Sequence, residues 1–219
     1  MKKREKNVEQ LRCELFERYP ELDVCKKDIE LGYEALLECY KKGGKVLIAG
    51  NGGSASDSEH IVGELLKSFL FLRRPNSQMA DQLKNQFGEE GAKLADVLEG
   101  ALPAIPLTSL SAISTAFAND TEPKAVFAQM VNGLGKKEDI FLGISTSGNS
   151  RNILLAFMTA KAKGMKTMLL TGGTGGACRK IADITICVPE EETFKIQELH
   201  LPIYHTLCAM LEYALFEEK

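Results

Sequence analysis

Residues 139–150 read DIFLGISTSGNS and combine the features that decide the fold of this 219-residue chain. Asp139 is followed by five apolar residues, which is typical of a short buried strand. The next six residues are serine, threonine, glycine and asparagine, and residues 152–163 then carry a helical pattern. A strand that ends in a polar turn and continues into a helix predicts an α/β unit.

The same order of strand, turn and helix recurs along the chain. The other predicted strands are residues 45–49, 104–107, 167–170 and 184–188. Because these strands are short, apolar and separated by helical patterns, they predict a parallel sheet covered on both faces. We therefore expect one α/β domain over residues 1–219, a doubly wound fold with five parallel strands.

Three helical regions are expected outside this repeat. Residues 1–42 predict two amphipathic helices, broken near Pro20, that pack against a partner subunit. Residues 73–100 are polar and contain Pro75, and they predict an inserted helical flap or, alternatively, a disordered surface loop. Residues 193–217 predict a long C-terminal helix, which Pro202 is expected to kink.

Composition narrows the classes of function. The net charge of −3 argues against nucleic-acid binding by bulk charge. No apolar run approaches the roughly 18 residues of a membrane span or resembles a signal peptide, so we expect a cytoplasmic protein. The cysteines lack C-x-x-C spacing and predict buried, reduced thiols. These are Cys13, Cys25, Cys39, Cys178, Cys187 and Cys208.

Two glycine- and serine-rich turns predict a phosphate site. Residues 50–56 follow the first strand, and residues 145–150 follow the third and supply four hydroxyl groups. Both turns lead into a helix, whose N-terminus attracts anions, and both are expected at the carboxyl edge of the sheet. Neither is a P-loop or a dinucleotide fingerprint. The alternative is that these serines only cap helices. The similar turn at residues 171–176 is interpreted as a structural crossover.

The three histidines lie near carboxylates or amides in helical stretches. His60 and Glu64 are four residues apart and share a helix face, which suits a metal site, an acid/base pair or a simple surface ion pair. Asp57 could orient His60. Gln197, Glu198, His200 and His205 form a second group. Gln197 and His205 are about 12 Å apart along a helix, so one shared metal requires leaning side chains, a kink or ligands from different subunits.

These motifs resemble the sugar isomerase (SIS) domain family and, within it, the phosphoheptose isomerases, which have a flavodoxin-like fold. The resemblance rests on GNGGS at 50–54, Asp57 with His60 and Glu64, Asn119-Asp120, GISTSGNS at 143–150, and IQELH at 196–200 with His205. It implies an aldose–ketose isomerase that converts sedoheptulose 7-phosphate to a heptose 7-phosphate through an enediol(ate). It also implies one zinc ion per subunit and a homotetramer with shared active sites.

The resemblance assigns roles residue by residue. It implies Glu64 as base and His205 as acid. It implies four metal ligands, which are His60, Glu64, Gln197 and His205. The implied substrate contacts are Asn51, Gly52, Gly53, Ser54, Asn119, Asp120, Ser145, Thr146, Ser147, Ser150 and Gln197. Glu64 cannot be a tight ligand and a free base at once, so we expect it to change roles when substrate enters.

Two departures leave alternatives open. The insertion at residues 73–100 is longer than this family leads us to expect, and Pro202 is unusual inside the last helix. The alternatives are a non-catalytic SIS protein that binds a phosphosugar or a protein partner, and an isomerase of another phosphosugar. The non-catalytic proteins are expected to lack the acid/base pair, which this chain retains.

Overall fold

A computed structural model describes residues 7–216 and contains the predicted sheet. All pairings are parallel, the strand order is β2-β1-β3-β4-β5, and β1 pairs with β3 through Leu47 and Phe141. The strands are β1 (Val46–Ala49), β2 (Ala104–Pro106), β3 (Ile140–Ile144), β4 (Lys166–Gly172) and β5 (Ile184–Val188). The doubly wound five-stranded α/β fold is thus confirmed.

Helices cover both faces of this sheet. They are α1 (Val8–Arg18), α2 (Lys26–Lys41), α3 (Gly53–Leu66), α4 (Ser77–Val97), α5 (Ser111–Asp120), α6 (Val126–Leu134), α7 (Arg151–Ala162) and α8 (Thr193–Leu215). Successive side chains of β1 point to opposite faces. Ile48 joins a core with Leu142 and Ile203, whereas Leu47 joins a second core with Phe157.

The N-terminal region contains two helices separated at the expected proline. α1 begins with a capping box between Asn7 and Gln10, and a 3-10 helix at Pro20–Cys25 separates it from α2. Leu11 of α1 is buried in a cluster with Ala209 and Met210 of α8. The apolar face of α1 is therefore covered within the same chain, and packing against a partner subunit stays a prediction.

The insertion is helical and not a disordered loop. α4 spans most of it and changes direction at Gly88, where φ is 57°. Phe87 and Val97 are 62% and 73% exposed, so part of its apolar pattern does not face the core.

The C-terminal helix α8 runs as one element through Pro202 and ends at Leu215. The expected end at residue 217 lies outside the described residues. No helix within residues 7–216 is long and apolar enough to cross a membrane. All six cysteines are free thiols, and Cys25, Cys39, Cys178 and Cys208 are buried as expected. The expectation of burial is wrong for Cys13, which is exposed, and Cys187 is only partly buried.

Candidate active site

The two polar turns lie side by side at the carboxyl edge of the sheet. β1 and β3 are neighbours, so the turn before α3 adjoins the turn before α7. Asn51 and Asn152 join these turns by a reciprocal amide pair, with N···O distances of 3.0 and 2.8 Å. Sequence reasoning identified Asn51 but missed Asn152, because this pair forms only when the two strands are adjacent.

The serines of the second turn do more than cap a helix. Ser150 is the N-cap residue of α7, yet its side chain makes no capping hydrogen bond. Its hydroxyl instead lies 2.9 Å from the hydroxyl of Ser145, whereas Ser147 is exposed. Gly52 likewise provides no side-chain cap for α3. Ile153 of α7 donates its backbone N–H to Asn152 Oδ1, and Ser54 and Ala55 of α3 donate theirs to the carbonyls of Asn51 and Gly52. An anion would therefore bind through the N–H groups that precede these residues at each helix N-terminus.

The third turn follows β4, and the residues directly after it are hydrogen-bonded to the second turn. Ala177 donates its backbone N–H to Asn149 Oδ1 at 3.0 Å, and Cys178 donates to the carbonyl of Gly148 at 2.9 Å. A methyl group on Gly148 would lie 1.9 Å from the carbonyl oxygen of Gly175. Gly148 also has φ of 64°, a region that favours glycine. These contacts agree with the structural role expected of the third turn.

A histidine pair forms where α3 meets α8. His60 Nε2 and His205 Nε2 are 3.2 Å apart, and their ring centroids are 4.8 Å apart. Glu64, one turn after His60 on α3, places Oε1 3.4 Å from His60 Nε2. The structure therefore brings together the two proposed acid/base residues around His60.

Tyr204 connects Asp57 to His60. The Tyr204 hydroxyl lies 3.2 Å from Asp57 Oδ1 and 3.1 Å from His60 Nδ1. Asp57 was expected to orient His60, and this hydroxyl stands between them. Tyr204 was not identified from the sequence. Its position directly before His205 on α8 is the one sequence signal that could have found it.

Burial shifts the pKa values of two residues in this cluster, His205 and Asp57. Desolvation lowers the pKa of His205, the nearby His60 lowers it further, and Glu64 opposes the shift. Desolvation raises the pKa of Asp57, against the hydrogen bond from Tyr204 and the proximity of His60. A lowered pKa favours neutral His205 near neutral pH, the form in which one ring nitrogen carries a proton and the other is free.

Gln197 lies beside the first turn. A methyl group on Gly53 would come within 2.6 Å of Gln197 Nε2, so the two residues are in close contact. Within residues 7–216, no group of three or more His, Cys, Asp or Glu side chains is arranged to hold a metal ion. The four-residue ligand set therefore stays a prediction.

Asn119 and Asp120 lie at the end of α5. Asn119 Nδ2 donates to Asp120 Oδ1 at 2.8 Å, and both residues are exposed. Their expected contact with substrate is not tested by this arrangement and stays a prediction.

The chain matches known proteins over most of its length. Residues 78–172 match the model of the SIS domain family. A phosphoheptose isomerase of Burkholderia pseudomallei (strain 1710b) is 40% identical over 186 residues, which are 85% of this chain and 81% of that protein. A phosphoheptose isomerase of Helicobacter pylori (strain P12) is 37% identical over 191 residues, 87% of this chain and 86% of that protein.

Solved structures agree with these sequences. A phosphoheptose isomerase from Francisella tularensis superposes with a TM-score of 0.69 at 34% identity, covering 84% of this chain and 85% of that one. One from Neisseria gonorrhoeae has the same TM-score at 28% identity, covering 93% and 97%. By its fold, its motifs and this similarity, the chain belongs to the phosphoheptose isomerase family of SIS-domain proteins.

Proposed function

We propose that this protein is a phosphosugar isomerase that interconverts sedoheptulose 7-phosphate and a heptose 7-phosphate. The names of its relatives support the substrate. The observation that carries the proposal is the grouping of Glu64 and His205 around His60, at 3.4 and 3.2 Å. A carboxylate and a neutral imidazole are the base and the acid that an aldose–ketose isomerisation needs.

The phosphate group is proposed to bind between the turns at residues 50–54 and 145–150. The N-termini of α3 and α7, whose N-cap residues make no side-chain hydrogen bond to the helix, and the exposed residue Ser147 support this position. The amide pair of Asn51 and Asn152 holds the two turns together, so that donors from both can bind one anion. Gln197, in contact with Gly53, is proposed to bind the sugar beside the phosphate.

The reaction moves a proton between adjacent carbons. Glu64 takes the proton from C1 of the ketose, the C–H electron pair forms the C1–C2 double bond, and His205 donates a proton to the C2 carbonyl oxygen. The resulting enediol then returns its O1 proton to His205 while Glu64 delivers a proton to C2, which gives the aldose. Glu64 suits this role by its position, because its side chain is only 14% exposed and its Oε1 lies 3.4 Å from His60 Nε2, beside His205.

The chemistry of the donor set suits zinc, although these side chains are not arranged as a metal site within the described residues. Two imidazole nitrogens and a carboxylate oxygen are common zinc ligands. Glu64 Oε2 is buried and has no hydrogen bond within the described residues, although Lys67 Nζ lies 3.6 Å away. We propose that His60, Glu64, His205 and, after a side-chain movement, Gln197 hold one zinc ion per subunit. When bound, zinc would polarise the substrate carbonyl and stabilise negative oxygen.

Assembly and location follow from the family resemblance. We propose a cytoplasmic homotetramer in which neighbouring subunits share active sites. The exposed apolar residues Phe87 and Val97 on α4 are compatible with a subunit contact. Sedimentation equilibrium of the full chain would test the tetramer, and a monomer at micromolar concentration would refute it.

Turnover of sedoheptulose 7-phosphate by purified, zinc-supplemented protein tests the function. Glu64→Gln should lower kcat by about 10² to 10⁴-fold while phosphosugar binding persists in calorimetry. Glu59→Gln is a matched control, because Glu59 is exposed on the same helix and contacts Thr108 and Ser109. No turnover by wild type would refute the heptose assignment. Binding without turnover of any phosphosugar would support the non-catalytic alternative, and solvent deuterium incorporation into a different phosphosugar would support the other isomerase alternative.

A further inference from the structure

The buried hydroxyl of Tyr204 has two polar neighbours and only one proton. Tyr204 is 2% exposed, and its hydroxyl lies 3.2 Å from Asp57 Oδ1 and 3.1 Å from His60 Nδ1. Asp57 and His60 are one turn apart on α3, whereas Tyr204 projects from α8. The three side chains therefore form a chain of hydrogen bonds across the interface between the two helices.

The direction of these hydrogen bonds follows from the donors and acceptors available. An ionised Asp57 can only accept, so the single hydroxyl proton of Tyr204 points to Asp57. Toward His60 the Tyr204 oxygen can then only accept. The proton between Tyr204 and His60 must therefore belong to His60 Nδ1.

A proton on Nδ1 determines the state of the other ring nitrogen of His60, Nε2. With Nδ1 protonated, neutral His60 carries a free electron pair on Nε2. That atom faces His205 Nε2 at 3.2 Å and Glu64 Oε1 at 3.4 Å. His60 Nε2 can therefore accept a hydrogen bond from His205 Nε2–H, which keeps the proton of neutral His205 on that nitrogen. The same electron pair is the one that a metal ion requires.

We propose that Tyr204 is a positioning residue that fixes His60 in its Nδ1–H tautomer and so directs the Nε2 electron pair toward His205. The consequence for catalysis rests on the proposed function, but the tautomer itself does not. Tyr204 touches neither turn of the phosphate site through any hydrogen bond in the described residues, so its contribution concerns the acid/base cluster only.

Nitrogen-15 NMR of the full chain labelled at histidine tests the tautomer directly. The protein is stripped of metal with a chelator so that no ion competes for Nε2. Wild type should show His60 with a protonated Nδ1 and a bare Nε2. His200 is an internal reference of the opposite tautomer, since its Nε2 lies 3.2 Å from the carbonyl oxygen of Thr171 and must donate to it. His60→Gln assigns the signals.

Tyr204→Phe should shift His60 toward the Nε2–H tautomer and leave His200 unchanged. Tyr40→Phe is the matched control, because the Tyr40 hydroxyl is buried without a hydrogen-bond partner in the described residues. It should change neither signal. A protonated Nε2 on His60 in wild type, or an unchanged tautomer in Tyr204→Phe, would overturn the proposal. The wild-type spectrum decides even if the variant does not fold.

Activity gives a second readout. Loss of a partner that orients a site histidine typically costs about 10- to 100-fold. Tyr204→Phe should lower kcat by that factor and leave KM nearly unchanged, because the phosphate turns are untouched. Equal kcat in Tyr204→Phe and Tyr40→Phe would remove the positioning role. If wild type has no isomerase activity at all, the proposed function fails while the NMR result still stands.

Discussion

His60 and His205 approach within 3.2 Å although 145 positions separate them in the chain. The contact exists because α3 and α8 pack against each other on one face of the sheet, with Ile61 and Ile203 in the same core. Core packing therefore aligns the two imidazoles, and the helices on which they stand are rigid elements of the fold. Side chains supported in this way lose little entropy when they are held in one arrangement.

Zinc content tests the ligand set. His60→Ala and His205→Ala are both expected to lose stoichiometric zinc, because each removes one of two facing imidazole donors. Elemental analysis after dialysis measures this directly. Cys13→Ser is the control for adventitious binding, since Cys13 is an exposed free thiol. Zinc retained in His60→Ala would exclude His60 as a necessary ligand, and zinc retained in Gln197→Ala would exclude Gln197.

Gly148→Ala should disrupt the second turn, where the phosphate group is proposed to bind. The added methyl group would meet the carbonyl of Gly175 at 1.9 Å, and φ is unfavourable for alanine. We expect a loss of several kcal/mol in the free energy of unfolding, beyond the roughly 1 kcal/mol of φ strain alone. Gly173→Ala isolates that strain, because its φ is 53° and its added methyl group has no neighbour within 4 Å. Urea unfolding and phosphosugar calorimetry compare the two. Equal losses of unfolding free energy in the two variants would contradict the close contact between Gly148 and Gly175.

A buried ion pair ties α8 to the end of α3. Arg73 Nε lies 2.6 Å from Glu212 Oε1, both side chains are fully buried, and Arg73 also donates to the backbone carbonyls of Glu64 and Leu65. Arg73→Met leaves the Glu212 charge unpaired and should cost about 3–5 kcal/mol in urea unfolding.

The exposed Lys93 is the control for this pair. It contacts Glu89 and Glu90 at the surface, so Lys93→Met should change the free energy of unfolding by less than about 1 kcal/mol. Similar losses in the two variants would contradict the role of the buried pair. Because Arg73 holds the backbone of Glu64, its substitution should also reduce kcat.

His200 should make stability depend on pH. Burial lowers its pKa from 6.5 to about 4. Between these values the unfolded chain binds a proton that the folded chain does not, so stability falls as pH decreases from about 6.5 to 4. The contribution is on the order of 3 kcal/mol. His200→Gln should flatten the pH dependence of the unfolding free energy over this window. A variant with the same slope as wild type would refute the assignment to His200.

The sequence alone determined the sheet and the local motifs. The five strands are read from short apolar runs separated by helical patterns, and the His60–Glu64 pair follows from helical spacing within four residues. Such features depend on neighbouring residues in the chain, for which backbone periodicity is a sufficient guide. The helical insertion was one of two open readings, because polar composition suits either a surface helix or a loop.

Only the tertiary structure decided which distant residues meet. Asn152 pairs with Asn51 because β1 and β3 are adjacent, and Tyr204 reaches Asp57 and His60 because α8 lies on α3. Periodicity places a residue on a helix face but does not say which helix that face will contact. That choice depends on the strand order and on side-chain packing across the core, which no single segment encodes.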